Sequence, residues 1–153
     1  MRALLWIVRA ANNKLLVVLS AIGSQQAAAT EDTVTAVDQL LDYCATYNDN
    51  GSTYRANNMV LAAHSDTSFN NESRSRSRAC AHIFLLENNI IPRWNGLLLT
   101  IAQIIKYMVS SAAETKMTAL FLTTKEMVPL KDTLQEMGWK KLHHHYSPTT
   151  QQR

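Results

Sequence analysis

Two acidic residues are the first candidates for chemistry in this sequence. Asp66 follows the apolar run 59–63, and Glu114 stands three residues after Ser111. Carboxylate oxygens are the hard ligands that Mg²⁺ prefers, so Asp66 and Glu114 are candidate metal ligands. Each also has a plainer interpretation. Asp66 is equally well placed as an ordinary strand-end aspartate, and the spacing from Ser111 to Glu114 matches a helix-capping box.

Three polar segments allow further chemistry. The run 73–78 alternates serine with arginine, which would suit phosphate binding or phosphorylation, but we favour a solvated loop between strands. His143, His144 and His145 are potential transition-metal ligands, but three adjacent histidines in a polar tail do not converge on one ion. His64 is close enough to Asp66 in sequence to join a site, and its alternative is a surface histidine between strands.

Composition argues against a largely disordered chain, a disulfide-rich protein and a transmembrane protein. The chain has 153 residues, of which 46% are hydrophobic and 18% charged, so it can build a core. A formal net charge of +3 is compatible with nucleic-acid binding without arguing for it. Cys44 and Cys80 have neither metal-ligand spacing nor a disulfide pattern, which indicates reduced thiols in an intracellular protein. No apolar stretch is long enough to span a bilayer.

The N-terminal region leaves one alternative open. Lys14 precedes the apolar run 15–22, and Ala27, Ala28 and Ala29 follow it, as in a signal peptide with a small-residue cleavage site. The apolar run comes late, however, and Arg9 separates it from an earlier apolar patch. We therefore expect an intracellular protein and keep a small secreted or interaction protein as the alternative.

Hydrophobic periodicity predicts a mixed chain of helices followed by strands. We expect a short buried helix over 14–27 and a helix over 31–47 with Thr30 as its N-cap. Strands are expected over 59–63 and 79–86, with residues 67–77 as a polar connection. Residues 97–105 fit a third strand or a buried helix. A helix from Ser111 to about Met127 follows; Pro129 kinks it or starts another, and Gly138 ends it.

Four segments together resemble one family. They read LLDYCAT at 40–46, MVLAAHSD at 59–66, ACAHIFL at 79–85 after an Arg-Ser stretch, and SSAAETKMTAL at 110–120. In the same order they resemble the Pol polyprotein of copia-type retrotransposons, from the end of the reverse transcriptase into the ribonuclease H-like domain. The matching patterns there are a helix with L-x-Y-L, a strand ending in Y/H-S-D-A, a strand after R-x-S-x-x-G, and S-S-x-x-E-A-E-x-x-A-L. LQEMG at 134–138 resembles the end of the following helix.

The resemblance implies hydrolysis of the RNA strand of an RNA–DNA hybrid by two Mg²⁺ ions held between carboxylates. Asp66 falls on the first metal-binding aspartate. Lys116 occupies the position of the second ligand, and Glu114 matches only the first glutamate of E-A-E. The third ligand is the aspartate of a D-N-x-x-A motif on the fourth strand, and no acidic residue follows Glu136. We therefore expect an inactive remnant in which no metal binds productively, and keep an active enzyme as the competing hypothesis.

The resemblance also implies an organisation. Residues 1–52 correspond to a helical segment at the end of the reverse transcriptase, 53–142 to a partial ribonuclease H-like domain, and 143–153 to a polar tail. The expected class is α/β, with an incomplete fold of three antiparallel strands plus helices. In the family's sheet the first strand lies between the second and the fourth, and the fourth runs parallel to it. We expect that fourth strand to be missing, so that residues 59–65 form an open edge through which the chain self-associates. The resemblance implies RNA–DNA hybrids or other nucleic acid as the ancestral partners, and we expect no membrane association.

Overall fold

The structure, a computed structural model, describes residues 2–49, 51–88, 93, 95–139 and 145–148. The chain divides into two compact units, residues 1–52 and 53–153. Within the described residues, no helix combines the length and the apolar character needed to cross a bilayer.

The first unit is entirely helical. Its elements are α1 (Arg2–Ala10), a 3₁₀ turn (Asn13–Leu15), α2 (Leu16–Ser24), a second 3₁₀ turn (Gln26–Ala28) and α3 (Glu31–Thr46). The buried apolar residues are Val8, Leu15, Leu16, Leu19, Ile22 and Leu40. The helix predicted over 14–27 is therefore real but shorter, with a 3₁₀ turn at each end. α1 was not predicted from the sequence, because Arg9 interrupts its apolar pattern.

The start of α3 agrees with prediction. Thr30 is the N-cap, and its N–H donates to Oγ1 of Thr33 at 3.2 Å. Glu31 and Asp32 occupy the first turn, where negative charge complements the helix dipole. The Thr33 hydroxyl in turn donates to Oε1 of Gln25 at 3.0 Å, which ties the cap to the preceding turn.

The second unit contains one sheet and one long helix. Its elements are β1 (Val60–Glu72), a 3₁₀ turn (Ser73–Ser75), β2 (Arg76–Leu86), β3 (Leu97–Ile104), α4 (Ala112–Glu136) and β4 (His145–Pro148). The strands lie in the order β3-β2-β1-β4. β1 and β3 each pair antiparallel with β2, whereas β4 runs parallel to β1, with Ala62 opposite His145. The mixed α/β class and the antiparallel three-strand sheet agree with prediction.

The fourth strand corrects two expectations. The prediction that the chain lacks this strand is wrong, because β4 forms inside the segment expected to be a polar tail. The prediction that β1 is an open edge is also wrong, because β1 pairs with β2 on one side and β4 on the other. Self-association of the chain stays a prediction. A four-residue strand held by main-chain hydrogen bonds leaves little apolar signature, so sequence pattern alone missed it.

β1 is longer than predicted. It continues through the segment expected to be a polar connection, so Asp66 lies in mid-strand rather than at the strand's end. The pairing with β2 is regular as far as Ser68 and shifts before Glu72. Asn70 lies in this bulge with φ at 53°, and its N–H donates to Oγ of Ser77 at 3.1 Å. Asparagine tolerates left-handed backbone, which suits it to this position.

One helix covers one face of the sheet. Leu61, Ala63 and Ile83 form a buried cluster with Met127 and Leu134 of α4. Ala79 forms a second cluster with Ile105 and Ala119. These contacts place the core of the second unit between α4 and the odd-numbered positions of β1 and β2.

The end of α4 shows one departure from prediction and one agreement. Pro129, expected to kink the helix or start another, lies inside the continuous helix. Pro129 and Lys125, whose carbonyl loses its helical partner to the proline, are both exposed, where the loss costs least. Gly138 has φ at 95° and ends the helix, as predicted.

Candidate functional site

The two faces of the β1–β2 pair differ in chemistry. Because successive side chains in a strand point to opposite faces, Leu61 and Ala63 face α4 while His64 and Asp66 do not. The same holds on β2, where Ile83 faces α4 and His82 points away. Asp66 therefore lies on the face of the sheet opposite α4.

Four chemically capable side chains meet on this far face. His64 pairs across the strands with His82, and Asp66 pairs with Cys80. We call His64, Asp66, Cys80 and His82 the far-face array. The His64 ring stacks on Phe84 with 5.2 Å between ring centroids, and His82 Nδ1 lies 3.3 Å from the Thr100 hydroxyl. Each histidine thus contacts a neighbour within the sheet.

The ionisation of the array disfavours nucleophilic chemistry. Burial raises the pKa of the Cys80 thiol, and Asp66 and Glu72 raise it further against the opposing effect of Arg78. Cys80 is therefore a protonated thiol at neutral pH and a weak nucleophile. Burial, followed by the nearby His64, lowers the pKa of His82. His82 is consequently neutral at pH 7 and offers no positive charge to a phosphate.

Asp66 is accessible from solvent. It is exposed in mid-strand, and its Oδ1 accepts the N–H of Thr67 at 2.8 Å. An exposed carboxylate with one short-range hydrogen bond is free of the burial penalty that a buried charge carries. Asp66 can therefore accept a cation without first breaking a core contact.

Glu114 has a clear structural role. Its Oε2 accepts both the N–H and the hydroxyl of Ser110, each at 2.8 Å. In return the Glu114 N–H donates to Oγ of Ser111, the N-cap of α4, at 3.1 Å. The backbone hydrogen bond from Ser110, then the hydroxyl of Ser110, lowers the pKa of Glu114. The predicted capping role is confirmed, and the carboxylate stays ionised at the helix N-terminus.

The structure does not gather Asp66 and Glu114 into one centre. Asp66 lies on the face of the sheet away from α4, whereas Glu114 caps α4 itself. Across the described part of the chain, no three histidine, cysteine, aspartate or glutamate side chains are placed to share a metal ion. Metal binding by Asp66 and Glu114 therefore stays a prediction from the resemblance. Lys116 is exposed next to buried Thr115, so its ammonium group occupies the surface of α4.

The arginine run divides into two parts. Arg74 and Arg76 are exposed at the turn between β1 and β2, and Arg76 Nε donates to the carbonyl of Ser73 at 3.0 Å. Ser77 and Arg78 are buried, and Arg78 Nε lies 2.6 Å from Oε1 of Glu72. The solvated-loop interpretation of this run thus holds for residues 73–76 and is wrong for Ser77 and Arg78. Two arginines of the run, rather than three, face solvent.

The histidine tail lies mostly beyond the described residues. His143 and His144 fall outside them, while His145 begins β4. His64 and Asp66 are candidates from the sequence, whereas their cross-strand partners His82 and Cys80 are not. The available signal was the strand alternation of 79–85, which places Cys80, His82 and Phe84 on one face. The register needed to set that face opposite β1 cannot be read from the sequence.

No protein-family model, curated protein or solved structure matches this chain.

Proposed function

We propose that residues 53–148 are a ribonuclease H-like domain descended from a copia-type Pol polyprotein. In this proposal the domain has lost RNA hydrolysis and retains weak, non-specific binding to nucleic acid. The observation that carries the proposal is the strand order, with β4 parallel to β1 and on the opposite side of β1 from β2.

The order of the strands supports descent from the family, because a parallel fourth strand requires a specific crossover connection. Three consecutive strands form an antiparallel meander, and the chain then passes through α4 before β4 joins the far side of β1. Parallel pairing requires such a crossover, whereas a further hairpin strand would have paired with β3. The four sequence segments that carry the family resemblance lie in the matching order along the same chain.

The distribution of charge supports loss of hydrolysis. β4 pairs with β1 from Ala62 to Ser65, so its C-terminal end lies beside the approach to Asp66. In the family this strand carries the third carboxylate, but here it reads HYSP. Lys116 places a cation where the second carboxylate belongs. One carboxylate of three cannot offset the charge of two Mg²⁺ ions.

The exposed arginines support residual binding. Arg74 and Arg76 lie at the tip of the β1–β2 hairpin, where their guanidinium groups can reach a phosphate backbone. The formal net charge of +3 adds only modest long-range attraction. Binding should therefore be weak, indifferent to sequence and steeply dependent on salt.

The hydrolysis assay uses the full chain with an end-labelled RNA–DNA hybrid in Mg²⁺ and, separately, in Mn²⁺. We expect no cleavage above a protein-free control, and Asp66→Asn should be indistinguishable from the unmodified chain. Cleavage that requires the metal and disappears in Asp66→Asn would show that the domain is an active nuclease and overturn the proposal.

An intracellular location forms part of the proposal. Both cysteines, Cys44 and Cys80, are free thiols, which suits a reducing compartment. The run that resembles a signal peptide forms α2, where Leu16, Leu19 and Ile22 are buried in the first unit. Fractionation of cells producing the chain tests this point. N-terminal sequencing of exported material beginning near residue 30 would instead favour the small secreted protein.

A further inference from the structure

α4 carries a second apolar surface besides the one that packs on the sheet. Met117 and Phe121 are each 67% exposed and Val128 is 52% exposed, although all three lie within one helix of a folded unit. Large exposed apolar side chains clustered on one helix face mark an interaction site. We call the set Glu114, Met117, Phe121, Thr124, Val128 and Lys131 the α4 seam.

The spacing of the seam is that of a coiled-coil face. Its residues follow one another at steps of three, four, three, four and three, which average 3.4 residues, close to the 3.5-residue repeat that keeps one side of a helix facing a partner. Met117 stands two residues after buried Thr115, and Phe121 stands two after buried Ala119. Two residues correspond to about 200° of rotation, so the seam points away from the sheet.

The α4 seam can pair with a second, antiparallel copy of itself, because its charged and apolar residues then face suitable partners. If two α4 helices lie antiparallel with a twofold axis midway between Phe121 and Thr124, Met117 of one copy meets Val128 of the other. Glu114 at one end then meets Lys131 at the other, and this pair occurs twice. Opposite charges therefore flank an apolar centre, as in antiparallel helix pairs whose partners are selected by charge.

We propose that the α4 seam is a self-association surface through which two copies of this chain pair their α4 helices antiparallel. An antiparallel partner helix must place a cation opposite Glu114 and a carboxylate opposite Lys131. The α4 seam of a second copy does so, and we therefore take a second copy as the partner. Parallel pairing would set Glu114 against Glu114 and Lys131 against Lys131, which is repulsive. Pairing through α4 replaces the self-association that the sequence had suggested for β1.

The capping role of Glu114 is compatible with this pairing. Ser110 binds Oε2 of Glu114, and a carboxylate has about four acceptor positions over its two oxygens. The hydrogen bonds from Ser110 hold the side chain in one place at the N-terminus of α4. A fixed carboxylate loses less conformational freedom when it meets a lysine than a mobile one does.

The first experiment compares two methionines of equal exposure. Met117 and Met137 are both 67% exposed, but Met137 lies past the end of α4 and outside the seam. The full chain is examined by sedimentation equilibrium up to about 100 µM, a range that detects micromolar association. Met117→Glu should weaken dimerisation at least about tenfold, because it places a charge in an apolar contact. Met137→Glu should leave the dimer unchanged.

A second experiment tests the charge pattern and the direction. Lys131→Glu should weaken the dimer, and adding Glu114→Lys to the same chain should restore it, because the exchanged charges again face each other. Circular dichroism checks that loss of the cap in Glu114→Lys leaves the helix intact. Oxidation of a mixture of Met117→Cys and Val128→Cys chains should yield a mixed disulfide dimer. The unmodified chain, with Cys44 and Cys80, is the control.

Each contrary outcome is specific. An unmodified chain that stays monomeric over the whole concentration range overturns the proposal. So does a Met117→Glu chain that melts at a lower temperature with no change in mass, since that result places the seam inside the monomer. Disulfide formation between two Met117→Cys chains, in preference to the mixed dimer, overturns the antiparallel direction.

Discussion

The two faces of the β1–β2 pair come from the same strands, but one packs against α4 and the other carries polar side chains. Toward α4, Leu61 and Ile83 are fully buried and contact Met127, so packing alone accounts for their identity. On the far face the pair begins with buried Ala62 and Phe84 and then turns polar at the far-face array. Folding requires the first pattern but not two histidines, a cysteine and an aspartate in opposed pairs. The difference teaches that candidate functional residues are best sought on the face whose residue types packing does not explain.

The largest expected effect is the difference in unfolding free energy between a substitution on the α4 face and one on the far face. Ile83→Ala removes a fully buried side chain beside α4 and should lower the free energy of unfolding by about 2–5 kcal/mol. His82→Ala, at its neighbour on the far face, removes a side chain that belongs to neither of the two core clusters under α4 and should lower the free energy of unfolding by about 1 kcal/mol or less. Urea unfolding followed by circular dichroism measures both. Equal costs would mean that the far face is as much a core as the α4 face.

The next effect concerns the ionic contact between Arg78 and Glu72 on the sheet. Arg78 and Glu72 have side chains only 4% and 19% exposed, so removal of either leaves a charge in a poorly solvated place. Arg78→Met should therefore lower the free energy of unfolding by about 3 kcal/mol. Arg78→Met with Glu72→Gln should cost less than Arg78→Met alone, because no uncompensated charge remains. A double-mutant cycle with no coupling between the two positions would contradict this reasoning.

A smaller effect tests the division of the arginine run. Arg74→Ala with Arg76→Ala removes two exposed guanidinium groups, so affinity for single-stranded nucleic acid should fall. The slope of log K against log salt concentration should become shallower by about 1.4, from roughly 0.7 for each phosphate contact. Fluorescence anisotropy across a salt series measures the slope. Arg78→Met, which removes a buried arginine, is the control and should leave the slope unchanged.

The smallest effect is a dependence of stability on pH. Burial holds the pKa of folded His82 below the ordinary value of 6.5, so the unfolded chain binds more protons in mildly acidic solution. Stability is therefore complete above pH 6.5 and declines as the pH falls below that value. His82→Gln should reduce this decline between pH 7 and 5.5 in urea unfolding. His64→Gln should reduce it less, because His64 is the secondary cause of the lowered pKa. A decline of equal size in all three chains would show that other groups produce it.

Local pattern predicted the elements better than their pairing. The cap at Thr30, the cap at Ser111 with Glu114 and the stop at Gly138 follow from contacts within a few residues, and all three were found. The three strands were found from their local hydrophobic pattern. The length of β1 was underestimated because residues 67–72 are polar and are held by pairing with β2 rather than by burial. β4 was missed because a four-residue strand leaves little hydrophobic pattern in the sequence. In the site, Asp66 was identified, but its distance from Glu114 and its pairing with Cys80 depend on sheet register, which one sequence does not specify.

The parallel contact between β1 and β4 also shapes how the chain is made. Ala62 can pair with His145 only after the ribosome has added 83 more residues (145 − 62). After Leu86, the last residue of β2, the ribosome must add 59 more residues to reach His145, which takes roughly 3–12 seconds at about 5–20 residues per second. During that interval one side of β1 is an unpaired strand on the ribosome. The nascent chain, rather than the finished protein, is therefore the form in which chaperones have the longest opportunity to bind β1.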